Sequence, residues 1–445
     1  MKKFKASKGF KTILAGLPDL SMIRLPEPET VAVSAMDIPY IRPRLLVKEW
    51  DRVKIGTPLF CDKRNPCIVY VAPASGTVQK IVFGTRRALI EIVILIDKTT
   101  DKTDAIRFDP IDETTLNKIP KADLIKRLQE GGLWQCFREF PFKDSADEHH
   151  TPPMIIVSLN GNDPFSPHPG LALENESSFF EFGLKVLNQL TDKVIVSTRH
   201  SSRDRLGAIQ ESVTHVAPDV FPAWDPGVVL YHEKTSIEEN RSWCISAEHL
   251  VLVAKFMLIG VYPIKRVVTV TRPHDKKPHI ITRQGAPIKN LAGQLQPNSI
   301  ITTGRFNGRV ADPDTHLGFF ESTLNIINQS PTEELLGFLQ PGFSKPSVSH
   351  TFASSLLGRP QDLDCNLHGE ERACINCGYC TKICPVDLMP SFIMKALHSD
   401  DIEDALNLGL LDCCRCGLCS YTCPSKIELT HILSQGMDTH YKDKE

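Results

Sequence analysis

The stretch CINCGYCTKICP, from Cys374 to Pro385, shares its spacing with a second stretch, CCRCGLCSYTCP, from Cys413 to Pro424. Each contains the pattern C-x2-C-x2-C-x3-C followed directly by proline. Two-residue gaps let a tight turn aim three thiolates at one centre, and in two-cluster ferredoxins the fourth cysteine of each motif binds the other cluster. The repeated spacing therefore predicts a unit that holds two [4Fe–4S] clusters.

The crossed arrangement divides the motif cysteines into two predicted sites. The first site consists of Cys374, Cys377, Cys380 and Cys423. The second site consists of Cys413, Cys416, Cys419 and Cys384. The alternative is structural zinc, which is usually bound by two separated C-x2-C pairs. Three closely spaced cysteines followed by Cys-Pro favour iron–sulfur over zinc.

The segment between the motifs predicts two helices, from Met389 to His398 and from Asp401 to Leu408. Ser399 or Asp400 is suited to cap the second helix, and Gly409 to end it. A helical spacer is typical of an α-helical ferredoxin rather than of the compact β-hairpin type. We therefore expect residues 360–445 to form an α-helical ferredoxin-like domain.

Two cysteines and two glycines of this tail need separate predictions. Cys414 follows Cys413 directly, so its side chain should point away from the cluster, and we expect both Cys414 and Cys365 to be bystanders. Gly378 and Gly417 occupy matching positions in the motifs. We expect their missing side chains to let the backbone pack against cluster sulfide.

Composition limits the class of the whole chain. With 445 residues, 41% of them hydrophobic, two to four globular domains are expected. The net charge of −2 gives no reason to expect a nucleic-acid partner. A disulfide framework is typical of short secreted chains, and no secretory signal opens this one, so its 14 cysteines predict reduced thiolates in a reducing compartment.

One long apolar window, from Leu250 to Pro263, is a candidate for a membrane span. Lys255 interrupts it, and it is shorter than the roughly 20 residues that a span requires. The window is therefore expected to be a buried helix followed by a strand.

Residues 1–105 predict a compact β unit, because β-branched runs alternate with turn signals such as Pro-Ala-Ser-Gly. The pattern G-x-P-L…V-x-A-P-x-S-G-x-V resembles the barrel-sandwich fold of lipoyl and biotinyl carrier domains. Lys63 is the only candidate for a modified carrier lysine, and its neighbours do not match a carrier motif, so we expect a rigid docking module. Residues 106–150 are expected to be a helical segment and linker, with His149 and His150 in an exposed loop.

Residues 151–260 predict a Rossmann-like α/β domain, since a strand in 152–160, a helix in 176–190 and a strand in 193–198 form a βαβ unit. No G-x-G-x-x-G follows the first strand, so no nucleotide is expected. Residues 261–345 predict a small β-rich, β-grasp-like domain, and a connector leads from it to the cysteine-rich tail. The fold class is thus multidomain α+β.

Several long blocks carry a family resemblance: GTPLFCDKRNPCIVYVAPASGTVQKI, NDPFSPHPGLALENESSFFEFGLKVLNQLTDKV, LGFLQPGFSKPSVSHTF and NLHGEERA. In this order they resemble NqrA, the first-lettered subunit of the sodium-translocating NADH:quinone reductase (Nqr), over most of residues 40–375. The tail departs from that family. Its CINCGYCTKICPVDLMP and LGLLDCCRCGLCSYTCPSKIEL look like the two-cluster segment of RnfC from the related ion-translocating Rnf complex, whose glycine-rich flavin and nucleotide site this chain lacks.

The resemblance implies a peripheral subunit on the cytoplasmic face of the bacterial inner membrane. The complex oxidises NADH, reduces quinone and transports Na⁺, and other subunits hold the flavins and the membrane spans. No complete active site, catalytic residue, nucleotide or flavin is expected in this chain alone. Two alternatives stay open: an Rnf-like electron-input subunit that accepts electrons from NADH or ferredoxin, and a non-redox assembly module.

Overall fold

The computed structural model describes most of the chain. The described residues are 2–4, 8–11, 15–99, 104–161, 163, 165–272, 275–304, 308–328, 341–343, 345, 352–357, 360 and 370–444. Cys365 and most of the predicted connector lie outside these residues. Within the described ranges, no helix combines the length and the apolar character that crossing a bilayer requires.

The strands and helices alternate in groups along the chain. The strands are β1 (Lys2–Lys3), β2 (Asp19–Arg24), β3 (Thr30–Ser34), β4 (Pro43–Leu45), β5 (Arg52–Val53), β6 (Pro58–Asp62), β7 (Val69–Val71), β8 (Gly76–Phe83), β9 (Leu89–Ile96), β10 (Arg138–Glu139), β11 (Asp144–Ser145), β12 (Ile155–Ser158), β13 (Val194–Arg199), β14 (His215–Ala217), β15 (Trp243–Ser246), β16 (Lys265–Thr271), β17 (Pro278–Arg283), β18 (Ser299–Thr303), β19 (Val310–Ala311) and β20 (Thr323–Asn328). The α-helices are α1 (Glu113–Leu116), α2 (Lys121–Glu130), α3 (Pro169–Ala172), α4 (Ser177–Asn188), α5 (Pro226–Glu233), α6 (Ala247–Ile259), α7 (Ile288–Ala292), α8 (Tyr379–Ile383), α9 (Pro390–His398), α10 (Ile402–Asn407), α11 (Leu418–Tyr421) and α12 (Leu429–Lys444).

The first hundred residues form the predicted β unit from two small sheets, in the orders β3-β9-β8-β5 and β4-β6-β7. Phe60 of β6 and Tyr70 of β7 stack with ring centroids 4.7 Å apart in the fully buried interior. The exposed Lys63 directly follows β6, in the turn toward β7. The next residue, Arg64, donates to Asp144 at 2.7 Å and to the Tyr441 hydroxyl at 2.6 Å, so this turn contacts two distant parts of the chain.

A seven-stranded sheet forms the middle of the molecule, in the order β1-β14-β13-β12-β15-β10-β11. Its first five strands are parallel, which confirms the predicted βαβ unit of β12, α4 and β13. Because successive side chains of a strand face opposite sides, Ile155 and Val157 pack with α4 and α6, whereas Ile156 packs with α5. The apolar window between Leu250 and Pro263 belongs to α6 and the turn into β16, and most of its side chains are buried.

The structure differs from the expected linker between these two units. β10 and β11 pair antiparallel and extend the seven-stranded sheet at its edge. Trp134 and Phe137, just before β10, are fully buried against Trp243 of β15. This segment is therefore part of the α/β core.

The β-rich unit is a six-stranded mixed sheet in the order β19-β18-β20-β16-β17-β2. Its edge strand β2 comes from the amino-terminal region and pairs parallel with β17. The strands predicted around residues 266–272, 279–285 and 299–309 are confirmed as β16, β17 and β18. The pairing of β2 brings in a segment that was predicted to belong to the first β unit.

The tail is helical, and α9 and α10 confirm the two predicted helices between the motifs. Asp401 caps α10, because its carboxylate accepts a hydrogen bond from the Asp404 amide at 2.9 Å. The predicted caps, Ser399 and Asp400, do not perform this role, since each lies one or two residues too early. Gly409 follows the helix end as predicted.

Candidate functional site

The two cysteine motifs have matching backbone conformations. Asn376 and Arg415, which directly precede the second cysteine of the C-x2-C-x2-C pattern in each motif, both have φ of 54°. Gly378 and Gly417, which directly follow that cysteine, have φ of 73° and 87° and begin α8 and α11. A left-handed residue thus lies on each side of the second cysteine, which bends the loop so that its side chains converge.

The role expected of the two glycines is different from the one that the structure supports. No protein atom lies within 4 Å of the position that a Cβ of Gly378 would occupy. Positive φ favours glycine because other L-residues place Cβ against the carbonyl oxygen. We therefore attribute Gly378 and Gly417 to backbone conformation, not to close packing.

The cysteines of the first predicted site share one cavity. Its lining includes all four, together with Asn376, Ser391, Ser425 and apolar side chains: Cys374, Cys377, Cys380 and Cys423. Cys423 belongs to the second motif, and its approach to three cysteines of the first motif is the juxtaposition that crossed ligation predicts. Ligation itself stays a prediction.

The cysteines of the second predicted site also come together. Cys384, Cys413 and Cys416 belong to one buried group packed against α5. Cys419 interacts electrostatically with each of these three thiols. Both motifs therefore contribute to both sites in space.

Cys414 lies closer to the second site than expected. It is buried, and its side chain forms a hydrogen bond with Cys416 instead of pointing away from the cysteines. Its Cβ also lies 3.3 Å from the position that a Cβ of Gly227 in α5 would occupy. Cys414 thus fills the contact between the motif and the α/β unit.

Burial governs the acidity of the second-site thiols. It raises the pKa of Cys384 to about 12 and that of Cys419 to about 11, and it also raises the pKa of Cys413. The pKa of Cys416 is raised first by its hydrogen bond with Cys414 and then by burial. Because thiolates are the metal ligands, binding of an iron–sulfur cluster at this site would displace these protons.

The donor set at both sites fits an iron–sulfur cluster. It consists of sulfur alone, and soft thiolate ligands favour zinc and iron–sulfur clusters over harder ions. Across the described ranges, no group of three or more His, Cys, Asp or Glu side chains is arranged to hold a single metal ion.

Helix α5 holds the second site against the rest of the molecule. His232 Nε2 lies 3.1 Å from the carbonyl oxygen of Pro385, the residue after Cys384. Lys234, which follows the helix, forms an ion pair with Asp412, the residue before Cys413. The sequence offered no signal for these contacts, because they join segments that lie far apart along the chain.

The turn after β12, where a nucleotide loop was sought, is occupied by its own hydrogen bonds. The Asn160 side chain accepts from the Arg199 amide at 2.9 Å and donates to the Ser202 hydroxyl at 3.0 Å. Of the two loop histidines, the side chain of His149 is exposed as expected, whereas Nε2 of His150 is buried.

A cavity of about 480 Å³ was not foreseen from the sequence. It lies between α6, β16 and the first β unit, and its polar lining includes Glu176, Glu248 and Lys255. Burial raises the pKa of Glu248, against the opposing effect of Arg266. Because α6 and α5 pack on opposite faces of the seven-stranded sheet, this cavity and the cysteine tail lie on opposite sides of that sheet.

Comparisons with known proteins match three parts of the chain. Residues 4–97 match the NqrA N-terminal barrel-sandwich hybrid domain, residues 119–262 the NqrA second alpha/beta domain, and residues 373–427 a 4Fe-4S dicluster domain. The NqrA protein of the Na(+)-translocating NADH-quinone reductase from Rhodopirellula baltica is 30% identical over 418 residues, which cover 92% of this chain and 91% of the relative. The corresponding protein from Marinomonas sp. is 28% identical, with 92% of each chain covered. Among solved structures, an NAD+-reducing [NiFe]-hydrogenase is similar at a TM-score of 0.34 and 11% identity, covering 76% of this chain and 66% of that one, which is too weak to carry an argument.

Proposed function

Because this chain belongs to the NqrA family of Na(+)-translocating NADH-quinone reductase subunits, we propose that it serves such a complex as a peripheral subunit that transfers electrons through two [4Fe–4S] clusters. The shared cavity of the first site carries this proposal. There Cys423 of the second motif joins Cys374, Cys377 and Cys380 of the first. A dicluster fold requires this crossing, whereas two independent metal sites would not.

The residues that hold the clusters follow from this geometry. We propose that the first site, with Cys374, Cys377, Cys380 and Cys423, binds one cluster, and that the second site, with Cys413, Cys416, Cys419 and Cys384, binds the other. When bound, each cluster supplies one-electron transfer. The chain's own residues orient the thiolates through the left-handed loop positions and exclude water from the second site through α5 and Cys414.

The domain organisation fits an accessory role in a larger complex. We propose barrel-sandwich-like (1–105), α/β Rossmann-like (151–260), β-grasp-like (261–345) and α-helical ferredoxin-like (360–445) domains, with 106–150 packed between the first two. The strand order β14-β13-β12-β15 supports the Rossmann-like assignment, since it places the first βαβ unit in the middle of the sheet.

The partners and location follow from the family. We propose that flavin-carrying and membrane-spanning subunits hold this chain at the cytoplasmic face of the bacterial inner membrane, and that quinone is reduced at the level of the complex. Two alternatives are a non-redox assembly module and an Rnf-like electron-input subunit. The turn after β12 speaks against the electron-input role, because Asn160 uses its side chain within the protein. Tight binding of NADH or flavin by the isolated chain would reverse that preference.

Anaerobic purification followed by iron, sulfide and zinc analysis tests the cluster assignment. We expect about eight irons per chain, four for each cluster. A preparation that contains zinc alone would overturn the proposal. Low-temperature electron paramagnetic resonance then separates electron transfer from a structural role, because clusters that resist reduction at every accessible potential would support the assembly module.

A further inference from the structure

The two predicted cluster sites differ in their relation to the rest of the molecule. The second site is enclosed, since His232 and Lys234 contact the residues beside Cys384 and Cys413. Arg415, between Cys414 and Cys416, bonds to Tyr40 of the first β unit at 3.0 Å. An electron carrier from outside therefore has its open approach at the first site.

Three large apolar side chains are exposed at that site: Ile375 at 68%, Met389 at 40% and Phe392 at 52%. We call these three residues the outer patch. Ile375 lies between the first-site residue Cys374 and Asn376, whose side chain accepts a hydrogen bond from Lys395 at 3.0 Å. Lys395 in turn lies 5.2 Å from the ring centroid of Phe392. Met389 precedes Phe392 by three residues, which places the two side chains on one face of α9.

The helices around the outer patch carry positive charge. Lys395 and His398 are exposed on α9, and α8 contributes the exposed Lys382. Neither helix contains an acidic residue. Asp387, in the turn between them, is paired with Lys8 at 2.6 Å. A partner that covers α8 and α9 therefore meets an apolar centre with a basic rim.

The size of the patch indicates the kind of partner. Permanent subunit interfaces are usually large and more apolar, whereas transient electron-transfer encounters bury less than about 1,200 Å² and often depend on charge. Three apolar side chains with a charged rim match the second class. The first site also offers the partner a short route, since Ile375 and the cysteines line the same cavity.

We propose that the outer patch is the docking surface for an acidic one-electron carrier protein. This inference rests on the proposed clusters. In the transfer, the reduced carrier is oxidised by one electron and the cluster at the first site is reduced by one, with no bond formed or broken. The electron then passes to the second site, which faces α5.

Binding of an oxidised, acidic two-cluster ferredoxin to the intact, cluster-loaded protein tests docking without turnover. We expect Ile375→Ser and Phe392→Ser to weaken binding at least about tenfold, as removal of central apolar contacts does. Lys395→Glu should weaken binding at low ionic strength and lose its effect at high salt. Ile237→Ser, at a site that is 82% exposed, and Lys80→Glu, also exposed, are matched controls that should leave the affinity unchanged.

Stopped-flow oxidation of the reduced ferredoxin should show the same order among the variants, while their iron content and cluster spectra stay at the wild-type level. Loss of iron would instead indicate failure of the cluster assignment. Wild-type affinity in both serine variants, or equal binding of a basic carrier protein, would overturn the docking proposal. Protection of the outer patch by a permanent subunit in the purified complex would overturn it as well.

Discussion

Arg415 donates a hydrogen bond to the Tyr40 hydroxyl at 3.0 Å and thereby joins the second cysteine motif to the first β unit. The same guanidinium donates to Asp438 of α12 at 2.8 Å, and Tyr40 donates to that carboxylate at 2.6 Å. Burial, followed by the bond to Asp438, raises the pKa of Tyr40 to about 12. The three side chains form a closed polar contact between segments from both ends of the chain.

Replacing Arg415 by Met should release the second motif from this contact. Asp438 and Tyr40 would lose their common donor in a half-buried position, at a cost of about 1–2 kcal/mol in the free energy of unfolding. We expect a lower melting temperature and preferential loss of the second cluster, measured by iron content and electron paramagnetic resonance. Lys395→Met, which removes an exposed bond at the first site, is the matched control. Equal loss of both clusters would contradict the prediction.

Replacing Cys377 by Ser removes one proposed thiolate from the first site. Because Cys423 and Cys384 cross between the motifs, we expect the whole tail to lose its fold rather than one cluster alone. Iron analysis and far-ultraviolet circular dichroism measure this. Cys414→Ser is the comparison: it keeps a hydrogen-bonding group beside Cys416, and both clusters should remain. A Cys377→Ser protein with an intact second cluster would show that the ligation is not crossed.

Replacing Gly417 by Ala tests the left-handed loop position, where φ is 87°. An L-residue with Cβ costs about 1–2 kcal/mol in this conformation. Thermal unfolding of the loaded protein should show the loss, and Gly417→Asn should recover part of it, because asparagine tolerates positive φ better than alanine. Equal stability of the Ala and Asn variants would indicate that the space around residue 417, not its backbone, limits substitution.

The sequence was sufficient for features that depend on local pattern. The alternation of β12, α4 and β13 follows from neighbouring residues, and the structure agrees with it. Contacts between distant segments were not predictable, such as the bond from Arg64 to Tyr441 or the pairing of β2 with β17. Nothing in the residues near Arg64 indicates which remote side chain will meet it. The cap of α10 was missed by a single residue, since Ser399, Asp400 and Asp401 all have capping side chains and only the backbone geometry selects among them.

The interface between the first β unit and the β-rich unit contains a carboxylate that should make stability depend on pH. Asp37 accepts from the Phe320 amide at 3.3 Å, and its other oxygen, Oδ1, is buried without a partner among the described residues. Burial first, and then the nearby Glu321, raises the pKa of Asp37 to about 6. Glu321 itself is bonded to Arg309 at 3.1 Å, so Arg309 is engaged beside it.

The raised pKa fixes the direction of the effect. Between the ordinary value near 3.8 and about 6, the folded protein keeps a proton on Asp37 that the unfolded chain has lost. The free energy of unfolding should therefore fall as pH rises through this interval. Asp37→Asn removes the charge, and its amide can donate to Glu321. We expect this variant to be more stable at pH 7 by up to about 3 kcal/mol and to lack this part of the slope. Urea unfolding at pH 4.5 and pH 7 measures both, with the exposed Asp314→Asn as control, and an unchanged slope in Asp37→Asn would exclude Asp37 as its source.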